Sequence, residues 1–344
     1  MASTAVIRTG IIGFGLSGRI FHEPFLAANP AFSIDVVATG NPERQAQAGA
    51  LYPVVSTPEE LLSRDLDLVV LASPPHAHLE QGIAALESGA AVVIDKPFAA
   101  SVADAETLIA TAERVGRPLI VFQNRRWDGD FLTASKLVAS GQLGRVHRFE
   151  STFERFSGGL RPRWQDTTTP AQGAGITYDL GSHLIDQALH LFGPATLERA
   201  ELRILRDGGA SDDDAFFSLA HESGVVSHLT VSRLAAQSGP RFRVLGTESA
   251  YTVYGLDGQE PALKEGLRPG DAAYGVTPES EWGRVGGQSP EFPPTPVETE
   301  RGDYPAFYAG VAAAILEGAP VPVDPYTALA TMRILEQAHA QWKH

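Results

Sequence analysis

Over the first third of the chain the apolar residues come in short runs separated by polar, helix-forming stretches. Val6, Ile7, Ile11 and Ile12 read as a buried first strand, and Ile34-Asp35-Val36-Val37-Ala38-Thr39 as a second. Leu68-Val69-Val70-Leu71-Ala72 is apolar throughout, as in a strand covered on both faces of a parallel sheet. Ala91-Val92-Val93-Ile94 and Leu119-Ile120-Val121-Phe122 repeat that pattern. The stretches between them have helical character. Residues 18–28 are helically periodic and stop at Asn29-Pro30. Thr57-Pro58-Glu59-Glu60 opens a short helix with a capping residue, a proline at its first position and acids in its first turn. A helix over about 77–88 ends at Gly89, and Ser101-x-x-Asp104 caps the one after it. Strands alternating with helices from residue 5 to about 123 predict a doubly wound parallel sheet.

The pattern changes after Arg126. A helix near 130–140 leads to Val146–Glu154, an alternating and half-exposed strand. Glu201–Leu205, Ala215–His221, Val225–Ser232, Phe242–Leu245 and Tyr251–Tyr254 follow as strands joined by polar turns such as Asp207-Gly208-Gly209, with no helix between them. Consecutive strands of this kind predict an α+β domain on a large, mostly antiparallel sheet. Residues 266–296, rich in Gly, Pro and acids, read as a long surface loop, and two helices near 305–316 and 326–342 end the chain. The expected division is one domain over 1–124 and a second over 125–344. A chain of 344 residues is long enough for two cores of this size.

Composition narrows the partners. With 43% hydrophobic and 20% charged residues the chain is of globular type, and no apolar run is long enough to span a bilayer. No basic stretch with an apolar core follows Met1, and there is no cysteine, which together point to a cytoplasmic location. Acidic side chains number 41 against 27 basic ones, for a net charge of −14, and such a surface repels nucleic acid.

Three segments carry candidate chemistry. Gly13-x-Gly15-x-x-Gly18 follows the first strand where a helix begins. Gly13 allows the tight turn, Gly15 leaves room for a pyrophosphate against the backbone, and Gly18 lets the helix lie close to the strand. The second segment is Asp95-Lys96-Pro97, at the C-terminal end of a parallel strand, the edge at which ligands bind in open α/β sheets. A lysine there can hydrogen-bond a substrate oxygen that is gaining negative charge. One strand earlier, Ser73-Pro74-Pro75-His76-Ala77-His78 forms a proline-stiffened loop, whose histidines at a helix start more often bond locally than act as sites. The third segment runs from Tyr178 to Pro194. As one continuous helix it has a broad apolar face and an opposite stripe of Asp179, His183, Asp186 and His190. That register makes Asp179 and His183 neighbours, a pair suited to proton transfer. A metal on Asp179, His183 and Asp186 lacks an H-E-x-x-H core, and proton transfer explains these residues without one, so none is expected.

The second strand ends Ala38-Thr39-Gly40-Asn41-Pro42-Glu43-Arg44, with no acid where NAD enzymes of this type hold the ribose. Arg44 is placed to pair with a 2′-phosphate, which favours NADP over NAD.

Taken together, the glycine motif, Ser73-Pro74 with His78, Asp95-Lys96-Pro97 and Asp179-x-x-x-His183 resemble the GFO/IDH/MocA family of oxidoreductases over nearly the whole chain. Gly-Phe-Gly-Leu-Ser-Gly-x-x-Phe-His (13–22), Asn124–Thr133 and Arg163-Trp164 resemble most the NADP-dependent scyllo-inositol dehydrogenase-like subgroup. Asp95 stands where the wider family has Glu, as it does in the subgroup, and 157–175 departs from the subgroup's usual residues. The resemblance implies an N-terminal Rossmann domain and an α+β domain whose open sheet supports a homodimer or homotetramer. It implies catalysis by Lys96, Asp179 and His183. The cofactor is expected on Gly13, Phe14, Gly15, Ser17 and Gly18, on Gly40, Asn41 and Arg44, on Ser73, Pro74 and His78, on Lys96 and Pro97, and on Asn124, Arg126 and Trp164. The implied reaction moves a hydride between nicotinamide and a secondary hydroxyl of a cyclitol or sugar. The acids, arginines and tryptophans near Arg126, Trp127, Arg163 and Trp164 suit an uncharged polyol. Reduction of an aldehyde, imine or dihydrodiol, or cofactor sensing without turnover, are the alternatives on the same scaffold.

Overall fold

The computed structural model describes residues 6–160, 167–287 and 289–342. Among these residues there are two sheets, in two compact units. The first unit comprises residues 1–124, 259–274 and 304–329, and the second 125–258, 275–303 and 330–344. The expected division after residue 124 is thus one cut among several. Residues 259–274 and 304–329 pack with the first unit because of their aromatic rings. Phe25 stacks on Tyr308 at 6.4 Å and meets Tyr304 edge-on at 6.0 Å and Tyr274 at 6.3 Å, and Phe122 meets Phe307 at 4.9 Å. A sequence pattern read in windows does not register contacts of that span.

The first unit is built on a wholly parallel sheet in the order β3-β2-β1-β4-β5-β6. Its strands are β1 (Ile7–Ile12), β2 (Phe32–Ala38), β3 (Val54–Val55), β4 (Leu68–Leu71), β5 (Ala91–Ile94) and β6 (Leu119–Val121). Every residue of β4, β5 and β6 is buried, which is why these strands lack polar alternation. The helices begin as their caps predict. Asn41 accepts from the Arg44 N–H at the start of α2 (Pro42–Gly49), Thr57 from Glu60 at α3 (Pro58–Leu62), and Ser101 from Asp104 at α5 (Val102–Val115). Between α3 and α5 lies α4 (His78–Glu87). The helix expected over 18–28 is two pieces, a π-helical turn Ser17–His22 followed by α1 (Glu23–Ala28).

The second unit carries the other sheet, ordered β14-β13-β12-β11-β7-β10-β9-β8. Its strands are β7 (Val146–Glu154), β8 (Ala195–Arg203), β9 (Asp214–His221), β10 (Val226–Ser232), β11 (Phe242–Gly246), β12 (Ala250–Val253), β13 (Arg284–Gly286) and β14 (Thr295–Pro296). All the pairings are antiparallel except β7 with β10. The crossover between those two strands contains a second π-turn, Thr177–Gly181, and α7 (Ser182–Phe192), with α6 (Gly129–Ala139) earlier in the chain. Phe149, Phe192, Phe242 and Phe131 join helices to sheet, with ring centres 5.3–6.0 Å apart.

Two expectations are corrected here. The strand placed at Glu201–Leu205 begins six residues earlier, at Ala195, since its edge position leaves none of residues 195–201 buried and its alternation faint. Residues 266–296 are not one surface loop: Tyr274 is buried, and β13 and β14 extend the sheet. Strands of three and two residues are too short to read as alternation. Gly283 has a fold-specific role beside them, because a Cβ there would overlap the Tyr251 ring. The last helices are α8 (Gln259–Lys264), α9 (Tyr304–Glu317) and α10 (Pro325–Gln341). No helix among the described residues is long and apolar enough to cross a membrane.

Candidate active site

In the first unit the glycines do what their spacing predicts. Gly13 sits at φ +96°, and a Cβ there would lie 2.6 Å from the Ala72 carbonyl oxygen. A Cβ on Gly18 would overlap the Gly13 carbonyl, so the turn closes only on hydrogen at both positions. At Gly15 a Cβ would face only the Arg44 guanidinium, 3.5 Å away, leaving the backbone approachable. This open cradle fits a pyrophosphate. Phe14, Gly15, Arg19 and Arg44 line one cleft together with Glu43 and Gln47. Arg19 was missed in the sequence, because it lies 25 residues from Arg44 and only the fold brings both guanidiniums to one place. Gly40 and Asn41 are exposed, with Asn41 serving as the α2 cap.

β5 delivers Asp95 and Lys96 to the sheet edge, and the Lys96 N–H donates to Asp95 Oδ1 at 2.8 Å. Pro97 is buried after it. Ser73 and Pro74 are half-buried, and the Ser73 hydroxyl donates to Gln81 Oε1 at 2.6 Å. His78 has no exposed surface. Its ring lies between the Ser73 carbonyl, 2.9 Å from Nε2, and the Phe98 carbonyl, 3.1 Å from Nδ1. It therefore braces two ligand-edge loops rather than presenting a group to a ligand. Burial pushes its ionisation down, against the pull of those carbonyls and of Asp95.

In the second unit the continuous helix expected from Tyr178 is broken in register. Thr177–Gly181 is π-helical, and regular helix begins at Ser182. Asp179 lies within the π-turn, and its carboxylate accepts from Arg233 Nη2 at 2.6 Å. The stripe is also not a solvent face, since His183 is 3% and Asp186 2% exposed. Asp186 is held by a two-pronged contact from Arg126, Nε at 2.8 Å and Nη2 at 2.7 Å. The Arg126 side chain is itself buried, so its main observed partner is a carboxylate of its own unit. Asn124 is 5% exposed in the 3-10 turn Asn124–Trp127. Trp164 and Arg163 lie outside the described residues.

The π-turn is anchored at its start by Asp212, whose carboxylate accepts from the Thr177 N–H at 2.8 Å and the Thr177 hydroxyl at 3.2 Å. His339 Nε2 lies 2.9 Å from the same hydroxyl, and its ring stacks on Tyr178 at 5.1 Å. Burial pushes the Asp212 carboxyl up to about 7, with Asp213 adding to the rise and the Thr177 donors opposing it.

A family model described as an oxidoreductase family with an NAD-binding Rossmann fold matches residues 7–123. A second, for the GFO/IDH/MocA C-terminal domain, matches residues 131–252. The oxidoreductase YdgJ of Escherichia coli (strain K12), itself uncharacterized, is 37% identical over 98% of this chain and 97% of its own. This chain belongs to the GFO/IDH/MocA oxidoreductase family. Within it, the scyllo-inositol 2-dehydrogenase (NADP(+)) IolW of Bacillus subtilis (strain 168) is 33% identical over 96% of this chain and 92% of the relative. The solved structure of yvaA from Bacillus subtilis has a TM-score of 0.92 at 31% identity, covering 99% of this chain and 97% of that one. The protein is therefore an oxidoreductase with an NAD-binding domain, and relatives named as dehydrogenases of inositol and of D-apiose act on alcohols.

Two predictions follow from the buried carboxylates. Removing the Arg126 head in Arg126→Met strands the Asp186 charge, and should lower the unfolding free energy in a urea melt by roughly 3–5 kcal/mol, most of it recovered by adding Asp186→Leu. A loss below about 1 kcal/mol would show the pair to be ornamental. For Asp212 the folded value is raised above the unfolded one near 3.9. The stability it contributes is full below that value and is lost as pH rises toward 7. The melting temperature of Asp212→Asn should thus gain on wild type as pH climbs from about 4 to 7. A constant gap across that range would contradict the assignment.

Proposed function

We propose that this protein is an NADP-dependent dehydrogenase that oxidises a secondary hydroxyl of an uncharged polyol, a cyclitol such as scyllo-inositol or a pyranose, in a reversible reaction. The observation that carries the reading over a cofactor sensor is that the chain has both Lys96, at the ligand edge of β5, and His183, on α7. Its similarity to IolW supports the cyclitol and the NADP preference.

Bound nicotinamide supplies the hydride acceptor, or the donor in reverse. His183 takes the hydroxyl proton as the carbon–hydrogen bond breaks, and returns it when the ketone is reduced. Lys96 hydrogen-bonds the same oxygen and stabilises its alkoxide character. Asp179, held by Arg233, can accept from a neighbouring hydroxyl of the substrate. Arg44 and Arg19 together offer positive charge to a 2′-phosphate, and although Glu43 lines the same cleft, Ala38-Thr39-Gly40 at the end of β2 carries no acid to claim a 2′-hydroxyl.

A screen of cyclitols and sugars with both oxidised cofactors, read at the nicotinamide absorbance, tests the substrate class. Turnover is expected with an uncharged polyol, and turnover confined to carboxylated or phosphorylated compounds would end the proposal. Lys96→Met and His183→Ala should each lower kcat roughly a hundredfold or more while cofactor affinity holds. A variant that keeps most of its activity removes that residue from the scheme. Calorimetric titration should show tighter binding of NADP⁺ than NAD⁺, with the difference mostly gone in Arg44→Ala. Tighter NAD⁺ binding by the unaltered protein would overturn the cofactor choice.

A further inference from the structure

Behind Lys96 lies a line of polar side chains that the scheme above leaves unused. His22 ends the first π-turn and has no exposed surface. Its Nδ1 lies 2.7 Å from the hydroxyl of Tyr308, a fully buried residue of α9. Its Nε2 faces Asp95 Oδ2 at 3.9 Å and has no hydrogen-bond partner among the described residues. Asp95 Oδ1, the other oxygen of that carboxylate, receives the Lys96 N–H. The line therefore runs from phenol to imidazole to carboxylate to the backbone of Lys96.

Packing alone does not account for it. The His22 ring lies 4.4 Å from that of Phe122, in a cluster where an apolar side chain would fit without a nitrogen to satisfy. The chemistry of the partners also fixes the proton. A carboxylate only accepts, so Nε2 carries the hydrogen, and Nδ1 is left to accept from the phenol. Burial and the Asp95 charge push the ionisation of Tyr308 well up, which keeps its hydroxyl a donor. Burial alone would raise the Asp95 carboxyl, but His22, the Ser17 hydroxyl and the Lys96 charge outweigh it and hold it below the usual carboxylate range. The groups facing Asp95 are thus His22 and Ser17 from the π-turn, Tyr308 from α9, Lys96 beside it and His78 from α4.

We propose that His22 and Tyr308 are positioning residues for Lys96, acting through the Asp95 carboxylate, which they fix in place. This inference rests on the role given to Lys96 above.

The test uses the ketone-reducing direction with NADPH and a product of whichever polyol turns over. There His183 must carry its proton, so it contributes no loss of rate on the acid side, and such a loss reports on Asp95. Asp95→Asn should lower kcat about tenfold or more, with KM for ketone and cofactor within about twofold of wild type. In His22→Leu the carboxyl loses the group that holds it low, so a fall of kcat should enter the profile at higher pH than in wild type. His22→Gln, which keeps an amide N–H toward Asp95, should restore the wild-type profile. Tyr308→Phe removes one oxygen from a buried ring and keeps the packing. It should lower kcat about threefold and shift the profile in the same direction by less.

If Tyr308→Phe and His22→Leu fold and retain the wild-type profile while Lys96→Met is inactive, the line is packing and the inference fails alone. Should His22→Leu not fold, Asp95→Asn and Tyr308→Phe decide by the same criteria. If Lys96→Met keeps its turnover, the reading of Lys96 fails and takes this inference with it.

Discussion

A carboxylate taken out of water must be met where it lies by donors or by positive charge, and the functional segments of this protein are tied down by such meetings. Asp186 is met by the fork of Arg126, which fixes α7, the helix of His183, to the turn after β6. Asp212 is met by the N–H and hydroxyl of Thr177, which starts the π-turn of Asp179. Asp213, beside it, takes the Arg206 guanidinium at 2.9 Å. In the first unit, Asp95 holds the backbone of Lys96. These groups act as pins. Each charge is costly to bury, so the geometry that satisfies it is also the one geometry the segment can hold.

The two π-turns belong to the same account. Both interrupt a helix where a candidate functional residue sits, at Ser17–His22 under the phosphate turn and at Thr177–Gly181 around Asp179. A π-turn widens the helix by a residue and changes which side chains share a face, a device that recurs at functional sites. In the second unit the change turns Asp179 toward Arg233, a residue at the end of β10.

What was legible in the sequence depended on range. The caps Thr57 and Ser101 act within three residues and appear as read, and Asn41 caps α2 in the same way. β4, β5 and β6 were legible because a strand buried on both faces has no polar position to disguise it. The glycine turn was legible because each of its glycines answers a local steric demand. Beyond that range the reading lost hold. A period of 3.6 assumes regular helix, so it does not register the π-turn, and it takes Asp186 for an outward residue. Arg233 lies 54 positions from Asp179, and Arg126 60 from Asp186. Nothing in a window of fifteen residues announces such a partner. The same holds for Tyr308, which reaches His22 across 286 positions.

The partner of Asp179 bears on what this protein takes as substrate. A lone carboxylate at that position would favour a cation, such as the iminium that an imine reductase must accept. Here the carboxylate is already opposed by a guanidinium that is 8% exposed, while 31% of its own side chain remains accessible. A pair of this kind is close to neutral in sum, and a carboxylate oxygen can accept more than one hydrogen bond. An incoming cation gains little from it, and an incoming carboxylate meets the exposed oxygen rather than the buried arginine. A hydroxyl loses nothing by the neutralisation, because it needs only an acceptor, and a charged acceptor makes the stronger bond. On the proposed reading, a carboxylate backed by Arg233 suits a hydroxyl donor better than an iminium or a second carboxylate, which is the contrast between an uncharged polyol and the alternative substrates.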